Sequence, residues 1–161
     1  MVTVGIVGGA GYTGGELIRI LLNHSEAELV YVHSRSNHGN PLKNVHTDLI
    51  GETELVFTDA FSDDVDVIFL CLGHGNSKDF LETHEVRAGT SIIDLSQDFR
   101  LESGAGRDWI YGLPELNRDA IRQAKSVANP GCFATTIQTG LLPLAAEGKI
   151  ESDIQVRAVT G

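Results

Sequence analysis

A glycine-rich turn near the start of the chain constrains the fold more than any other feature. Gly8, Gly11 and Gly14 separate the β-rich run Val2–Val7 from residues 14–22, where apolar side chains recur at helical spacing. Glycines between a strand and a helix allow a tight turn and let backbone amides approach a pyrophosphate at the positive helix end. The pattern predicts a dinucleotide site. Because its spacing differs from G-x-G-x-x-G, a turn that serves only packing is the alternative.

Strand and helix signals alternate after this turn along the whole chain. Apolar β-rich runs predict strands at residues 29–33, 54–57, 65–72, 91–95, 126–128 and 154–159. Helical spacing predicts helices at residues 14–22, from 77 onward, at 117–125 and at 135–146. The alternation predicts an α/β fold with a Rossmann-like, doubly wound and mostly parallel sheet, whose ligands bind at the carboxyl ends of the strands. The polar stretch at residues 96–109 then becomes a loop at that edge.

The same pattern suggests how the chain divides into domains. Residues 1–150 are long enough for one domain of ordinary size, and we assign them to cofactor binding. The predicted strand at 154–159 would be an exposed edge if nothing covered it. We therefore expect residues 151–161 to be the first strand of a second α+β domain, for substrate binding and dimerisation, that is largely absent from this chain.

Composition argues against several functional classes. The formal charge of −10 over 161 residues opposes binding of nucleic acid, which depends on Lys and Arg. The longest apolar run, residues 65–72, contains Asp66 and is far shorter than the roughly 20 residues that span a bilayer. The glycine turn follows the N-terminus without a secretory signal, and two isolated cysteines are typical of a reducing compartment. These features predict a cytoplasmic protein without nucleic-acid or membrane partners.

The end of the second predicted strand bears on the choice of cofactor. NAD sites usually place Asp or Glu there to hold the ribose hydroxyls, whereas this chain has His33, Ser34 and Arg35. Arg35 can pair with a 2′-phosphate through two hydrogen bonds, and Ser34 can donate a further one. The sequence favours NADP(H), and a solvated loop arginine is the alternative.

The two cysteines lie in contrasting contexts. Cys132 comes after a predicted strand and before a predicted helix, where the helix dipole and free amides stabilise a thiolate. We expect Cys132 to be a nucleophile, with a small buried cysteine as the alternative. Cys71 lies inside an apolar strand and is expected to be an inert core thiol with a raised pKa.

The six histidines are scattered along the sequence. None has the spacing of a zinc-ligand pair with another histidine or a cysteine, and we predict no metal site. His74 lies between two glycines at the end of a buried strand, near the predicted ligand edge. We expect it to be a hydrogen-bonded loop histidine rather than a general base.

Five motifs occur in one order and cover nearly the whole chain. They are Gly8-Gly9-Ala10-Gly11-Tyr12-Thr13-Gly14-Gly15-Glu16-Leu17, Ser34-Arg35-Ser36, Asp94-Leu95-Ser96-Gln97-Asp98-Phe99-Arg100, Tyr111-Gly112-Leu113-Pro114-Glu115 and Asn129-Pro130-Gly131-Cys132-Phe133-Ala134-Thr135. Together they are far more specific than the glycine turn alone, and they resemble the N-acetyl-gamma-glutamyl-phosphate reductase family.

The resemblance implies a reaction and a cofactor site. It implies that NADPH reduces N-acetyl-gamma-glutamyl phosphate to N-acetylglutamate semialdehyde and phosphate, in arginine biosynthesis, through a thioester on Cys132. Ser34 and Arg35 would hold the 2′-phosphate. The residues implied to surround the pyrophosphate are Gly8, Ala10, Gly11, Tyr12, Thr13 and Gly14.

The remaining site is less fully defined by the resemblance. Ser96 and Arg100 are implied to lie near the substrate or the nicotinamide. Arg100 can hold a phosphate or carboxylate as a planar fork, or it can form a structural ion pair with Asp98 or Glu102. The family's catalytic histidine, the residues that select the N-acyl group and the contacts of its homo-oligomers are expected beyond residue 161.

Two other functions fit parts of the pattern. Aspartate-semialdehyde dehydrogenase is similar in fold and thiol chemistry, although the Tyr12-Thr13-Gly14 motif and the motif at residues 94–100 favour the glutamyl reductase. A non-catalytic NADP-binding module, with a redox-sensing or scaffold role and a structural Cys132, is an alternative of a different class. Selective reactivity of Cys132 over Cys71 would distinguish the enzyme from the module.

Overall fold

The fold is built on a single parallel sheet in a computed structural model that describes residues 1–101 and 103–159. Within these residues the strand order is β3-β2-β1-β4-β5-β7-β6, and every neighbouring pair is parallel. The strands are β1 (Val2–Val7), β2 (Ala27–His33), β3 (Phe57–Thr58), β4 (Val67–Leu70), β5 (Ser91–Asp94), β6 (Ile110–Tyr111) and β7 (Ser126–Ala128). The predicted Rossmann-like, doubly wound fold is confirmed.

Helical segments connect β1 to β2, β2 to β3, β4 to β5 and β6 to β7, as is usual between parallel strands, whereas loops connect β3 to β4 and β5 to β6. The α-helices are α1 (Tyr12–Leu22), α2 (Leu42–Val45), α3 (Asn76–Thr83), α4 (Pro114–Gln123) and α5 (Cys132–Ala146), and a 3₁₀ turn spans Thr47–Leu49. In the described part of the chain, no helix combines the length and apolar character needed to cross a membrane.

Apolar clusters cover both faces of the sheet. Alternate residues of a strand point to opposite faces, so Ile6 of β1 joins one cluster with Ile18 and Phe57, while its neighbour Val7 joins the other with Ile68. Each of these side chains is almost fully buried. Burial of a side chain of this size contributes about 1.5–3 kcal/mol, so the two clusters fix the sheet between its helices.

Several predicted elements differ from the structure at their ends. The strand expected at residues 54–57 is reduced to Phe57–Thr58, with an isolated bridge between Pro41 and Val56. The helix expected at 117–125 begins earlier, at Pro114, because proline is well suited to the first position of a helix. β6, α2 and the 3₁₀ turn were not predicted, because each of them is too short to show a periodicity in the sequence.

The predicted strand at residues 154–159 is wrong for the structure of this chain. Residues 153–159 have no regular secondary structure, and all of them are exposed. A strand is defined by its ladder, and neither edge of the sheet, β3 or β6, pairs with this segment. The assignment of residues 151–161 to a second domain stays a prediction, and Thr160, Gly161 and Glu102 lie outside the described residues.

Candidate active site

The glycine turn after β1 depends on the absence of side chains. Gly8 has a φ of +84°, and a Cβ there would lie 2.7 Å from the carbonyl oxygen of Cys71. A Cβ on Gly14 would lie 2.7 Å from the backbone of Gly9. The amides of Gly8 and Gly9 both donate to the carbonyl oxygen of His33, at 3.0 and 3.1 Å. The turn is therefore held tightly between β1, β2 and the end of β4.

Gly11 differs from the other two motif glycines. It is the N-cap residue of α1, and a Cβ there would meet nothing within 4 Å. Tyr12 and Thr13, the first residues of the helix, are exposed. The first amides of a helix have no partner within the helix, and a dinucleotide pyrophosphate suits this position. The open space above Gly11 therefore fits the nicotinamide dinucleotide that the sequence predicts.

A cavity of about 620 Å³ adjoins the turn. Ala10 lies in its wall, and Ser34 and Arg35 follow from the end of β2. Ser34 is buried, whereas Arg35 is exposed and pairs with no carboxylate of the described residues. In contrast, Arg19 forms an ion pair with Glu16 at 2.6 Å. The structure thus brings the two residues predicted to bind the 2′-phosphate to the same cavity as the glycine turn.

Aromatic side chains in this cavity were missed by the sequence analysis. His33 packs edge-on against Phe80, and His84 stacks on Phe80 with ring centroids 4.1 Å apart. Burial is the main cause of the lowered pKa of His33, and the positive charge of Arg35 adds to it. The sequence indicates only weakly that Phe80 is buried, because α3 has only two buried residues, one of which is Phe80.

Cys132 is the first residue of α5 and is exposed, as the sequence predicted. Gly131 is the N-cap and accepts a hydrogen bond from the amide of Thr135 at 2.8 Å. The loop before it is fixed to the neighbouring strand, because the amide of Asn129 donates to the carbonyl oxygen of Asp94 at 2.8 Å. The thiol therefore lies at the positive end of a helix. Like the glycine turn, it lies at the carboxyl ends of the parallel strands.

Cys71 has a different environment from Cys132, although the prediction that it lies inside a buried strand is wrong. It follows the last residue of β4, is half-buried and lines the 620 Å³ cavity. It packs against the apolar cluster beneath α1. Burial, with a smaller effect of the Asp94 charge, raises the pKa of its thiol to about 12. The expected raised pKa is confirmed, and this thiol is protonated at neutral pH.

Asp94, the last residue of β5, and Ser96 form a buried polar pair. The hydroxyl of Ser96 donates to Oδ2 of Asp94 at 2.7 Å and accepts from the amide of Asp98 at 3.0 Å. Both residues are almost fully buried. Burial raises the pKa of Asp94, and the hydrogen bonds from Ser96 oppose that shift. Ser96 thus lies at the predicted edge of the sheet, with its hydroxyl engaged inside the protein.

Arg100 directly contacts residues 129–131, the loop that precedes Cys132, which we call the cysteine loop. Its Nε donates to the carbonyl oxygen of Asn129 at 2.9 Å, and its Nη2 donates to that of Leu95 at 3.1 Å. A Cβ on Gly131 would lie 2.9 Å from Nη1, so a side chain there would require the guanidinium to shift. Arg100 and Gly131 also line a second cavity, of about 770 Å³.

The alternative of an ion pair between Arg100 and Asp98 is not found in the structure. The Asp98 carboxylate instead accepts hydrogen bonds from the amides of Gly75, Ser77 and Lys78 at the start of α3. These amides carry the positive end of the helix dipole and compete successfully for the carboxylate. The other predicted ion-pair partner, Glu102, is outside the described residues.

His74 has the structural role that the sequence predicts. Its Nδ1 accepts a hydrogen bond from the amide of Gln97 at 3.2 Å, which joins the loops after β4 and β5. Residues 1–101 and 103–159 contain no group of three or more His, Cys, Asp or Glu side chains that could hold a metal ion.

Comparison with known proteins defines the family. The model of the semialdehyde dehydrogenase NAD-binding domain matches residues 3–124, which is most of the chain. The chain belongs to this family. The match covers the glycine turn, Ser34, Arg35 and the loop of Arg100, and it ends before Cys132.

Curated relatives are similar over the whole chain. A protein of Bacteroides thetaiotaomicron is 56% identical over 162 residues, and one of Azobacteroides pseudotrichonymphae is 52% identical over 162 residues. Both are named N-acetyl-gamma-glutamyl-phosphate reductase. All of this chain is covered but only 50% and 51% of theirs, so the chain spans about half the length of these relatives.

Solved structures show the same fold at low sequence identity. Aspartate semialdehyde dehydrogenase of Candida albicans, solved with NADP, has a TM-score of 0.72 at 17% identity. The alignment covers 93% of this chain and 48% of the Candida chain. The Francisella tularensis enzyme has a TM-score of 0.68 at 21% identity, and the alignment covers 92% of this chain and 42% of the Francisella chain. At this identity the likeness extends to the fold alone.

Proposed function

We propose that this chain is the cofactor-binding half of an NADPH-dependent reductase that converts N-acetyl-gamma-glutamyl phosphate into N-acetylglutamate semialdehyde and phosphate, in arginine biosynthesis. The main support is the position of Cys132, an exposed thiol at the first residue of α5 and on the same sheet edge as the glycine turn. The relatives that cover the whole chain carry this name. The same likeness leads us to propose a cytoplasmic homo-oligomer.

The glycine turn and the end of β2 would hold the cofactor. The amides at the start of α1, from Tyr12 and Thr13, would bind the pyrophosphate, because anions are stabilised at helix N-termini. Arg35, which has no carboxylate partner among the described residues, would hold the 2′-phosphate with Ser34. Bound NADPH supplies the hydride that reduces the acyl group.

Cys132 would act as the nucleophile that divides the reduction into two steps. Its thiolate sulfur bonds to the acyl carbon, the bond from that carbon to the phosphate oxygen breaks, and phosphate leaves with the electron pair. After reduction of the thioester carbon to a thiohemiacetal anion, the carbon–sulfur bond breaks and its electrons return to the sulfur. The products are the aldehyde and the regenerated thiolate. A histidine beyond residue 161 would serve as the acid or base.

Arg100 would lie beside the reacting phosphate. Two of its donors hold the backbone of the cysteine loop and of the segment after β5, while the side chain also lines the 770 Å³ cavity. A guanidinium has five N–H donors, so these two hydrogen bonds leave donors for an anionic group. Ser96 would act indirectly, by holding the loop that carries Arg100.

The experiment uses the intact protein that contains this chain. With N-acetyl-gamma-glutamyl phosphate and NADPH, we expect equal amounts of aldehyde, phosphate and NADP⁺, and Cys132→Ser should lower kcat by at least about 10³-fold. Thr136→Ser, on the next turn of α5, is the matched control and should retain activity. Preference for aspartyl phosphate would reassign the enzyme. Absence of turnover with both substrates, together with NADPH binding, would favour the non-catalytic module.

A further inference from the structure

The loop after β5 joins the two cavities through one short segment, Asp98-Phe99-Arg100. Asp98 reaches toward α3, and Arg100 reaches toward the loop that precedes Cys132. Phe99 between them is almost fully buried and stacks on Trp109, with ring centroids 4.0 Å apart and planes within 3°. A buried aromatic anchor therefore holds two polar side chains that act on different parts of the site.

The Asp98 carboxylate accepts hydrogen bonds from the segment that forms part of the wall of the 620 Å³ cofactor cavity. Its Oδ1 accepts from the amide of Gly75 at 2.7 Å, and its Oδ2 accepts from the amides of Ser77 and Lys78 at 3.1 Å each. Gly73 and Asn76, in the same segment, line the 620 Å³ cavity. A carboxylate from a distant loop thus satisfies the start of α3.

The same residue also faces the second cavity. Asp98 lines the 770 Å³ cavity together with Arg100 and Gly131. Its backbone is fixed in turn, because the amide of Asp98 donates to the hydroxyl of Ser96. Any displacement of the carboxylate would therefore change the spacing between the wall of the cofactor cavity and the cysteine loop.

We propose that Asp98 is a positioning residue that couples the 620 Å³ cofactor cavity to the 770 Å³ cavity beside the loop that precedes Cys132, so that the acyl group on Cys132 meets the hydride donor at the correct distance. This inference rests on the proposed function. In this role Asp98 does not contact the reacting atoms. It acts through the segment 73–76 on one side and the segment 96–100 on the other.

The test separates the acylation of Cys132 from the later reduction. In the intact protein, Asp98→Asn should lower kcat by about 10- to 100-fold, since misplacement of reacting groups by about 1 Å has effects of this size. The phosphate burst without NADPH should be unchanged, because Arg100 still holds the cysteine loop. The deuterium isotope effect on kcat, with NADPH labelled at the transferred position, should rise. Glu82→Gln, an exposed position on the same helix, is the matched control and should leave all three unchanged.

Local folding can be checked in the same variants. Trp109 is the single tryptophan of these 161 residues and stacks on Phe99, so the part of the fluorescence of the intact protein that Trp109→Phe removes reports the state of this loop. If Asp98→Asn loses that signal, Asp98→Glu keeps the charge and moves the carboxylate by one methylene. This folded variant should also lose kcat while the burst is retained.

The outcomes distinguish the two proposals. If Asp98→Asn or Asp98→Glu shows the same phosphate burst and the same kcat as the wild-type protein, the positioning role alone is overturned. A reduced burst in the folded variant would also overturn it, because the effect would then lie on acylation. Absence of a wild-type burst would overturn the proposed function and, with it, this inference.

Discussion

The glycine turn after β1 and the segment 94–100 at the end of β5 both lie at the carboxyl ends of the parallel strands, but different side-chain properties hold them in place. The turn depends on missing side chains, since a Cβ at Gly8 would collide with the backbone of Cys71. The segment 94–100 depends on buried polar side chains, Asp94 and Ser96, which bond to each other. The first region is therefore sensitive to added atoms, and the second is sensitive to charge and hydrogen bonding.

The largest effect should follow from a side chain at Gly8. Gly8→Ala combines overpacking, which costs about 1–3 kcal/mol, with a left-handed backbone, which costs about 1–2 kcal/mol. We expect the free energy of unfolding to fall by about 2–5 kcal/mol, measured by urea denaturation. Gly39→Ala is the matched control, because Gly39 has a φ of +76° and nothing within 4 Å of the added Cβ. Equal losses in the two variants would show that strain rather than contact with Cys71 governs the turn.

A smaller effect, on binding rather than stability, should follow from a side chain at Gly11. A Cβ there meets only open space, so Gly11→Ala should change the free energy of unfolding by less than about 1 kcal/mol. The added methyl group enters the space assigned to the pyrophosphate, and we expect Kd for NADPH to rise about tenfold, or about 1.4 kcal/mol. Fluorescence titration measures this affinity. An unchanged Kd would contradict the placement of the pyrophosphate.

The smallest effect should appear at Asp94, as a change in pH dependence. Its pKa is raised in the folded protein, so the native state binds this proton more tightly than the unfolded chain. Its contribution to stability is therefore present below the unfolded pKa of about 3.9 and is lost as pH rises through the folded pKa, at about 1.4 kcal/mol for each pH unit between the two pKa values. Asp94→Asn should remove this loss, measured as the free energy of unfolding across pH 4–8. A pH profile equal to that of the wild type would show that Asp94 is ionised at no cost.

The turn and the segment 94–100 also differ in how far the sequence predicts them. The strand–turn–helix around Gly8 and the position of Cys132 at the start of α5 follow from local patterns, because short-range sterics fix both. The sequence did not predict that Asp98 would bond α3. Its partner amides are 20–23 residues away in the sequence, and the parallel pairing of β4 with β5 and the hydrogen bond between Gln97 and His74 bring the two loops together. The strand predicted at 154–159 failed for a related reason, since pairing is a property of two segments.

The exposure of Tyr12 and Thr13 has a consequence for mutational tolerance. Tyr12 is 98% exposed, so in the proposed site its amide, rather than its ring, would meet the cofactor. Recognition by the main chain is indifferent to the side chain that a position carries, provided that the backbone keeps its path. Replacing either side chain should therefore leave the affinity for the cofactor nearly unchanged, whereas a Cβ at Gly8 or Gly14 would collide with the backbone. A site of this kind changes its surface chemistry without losing its ligand.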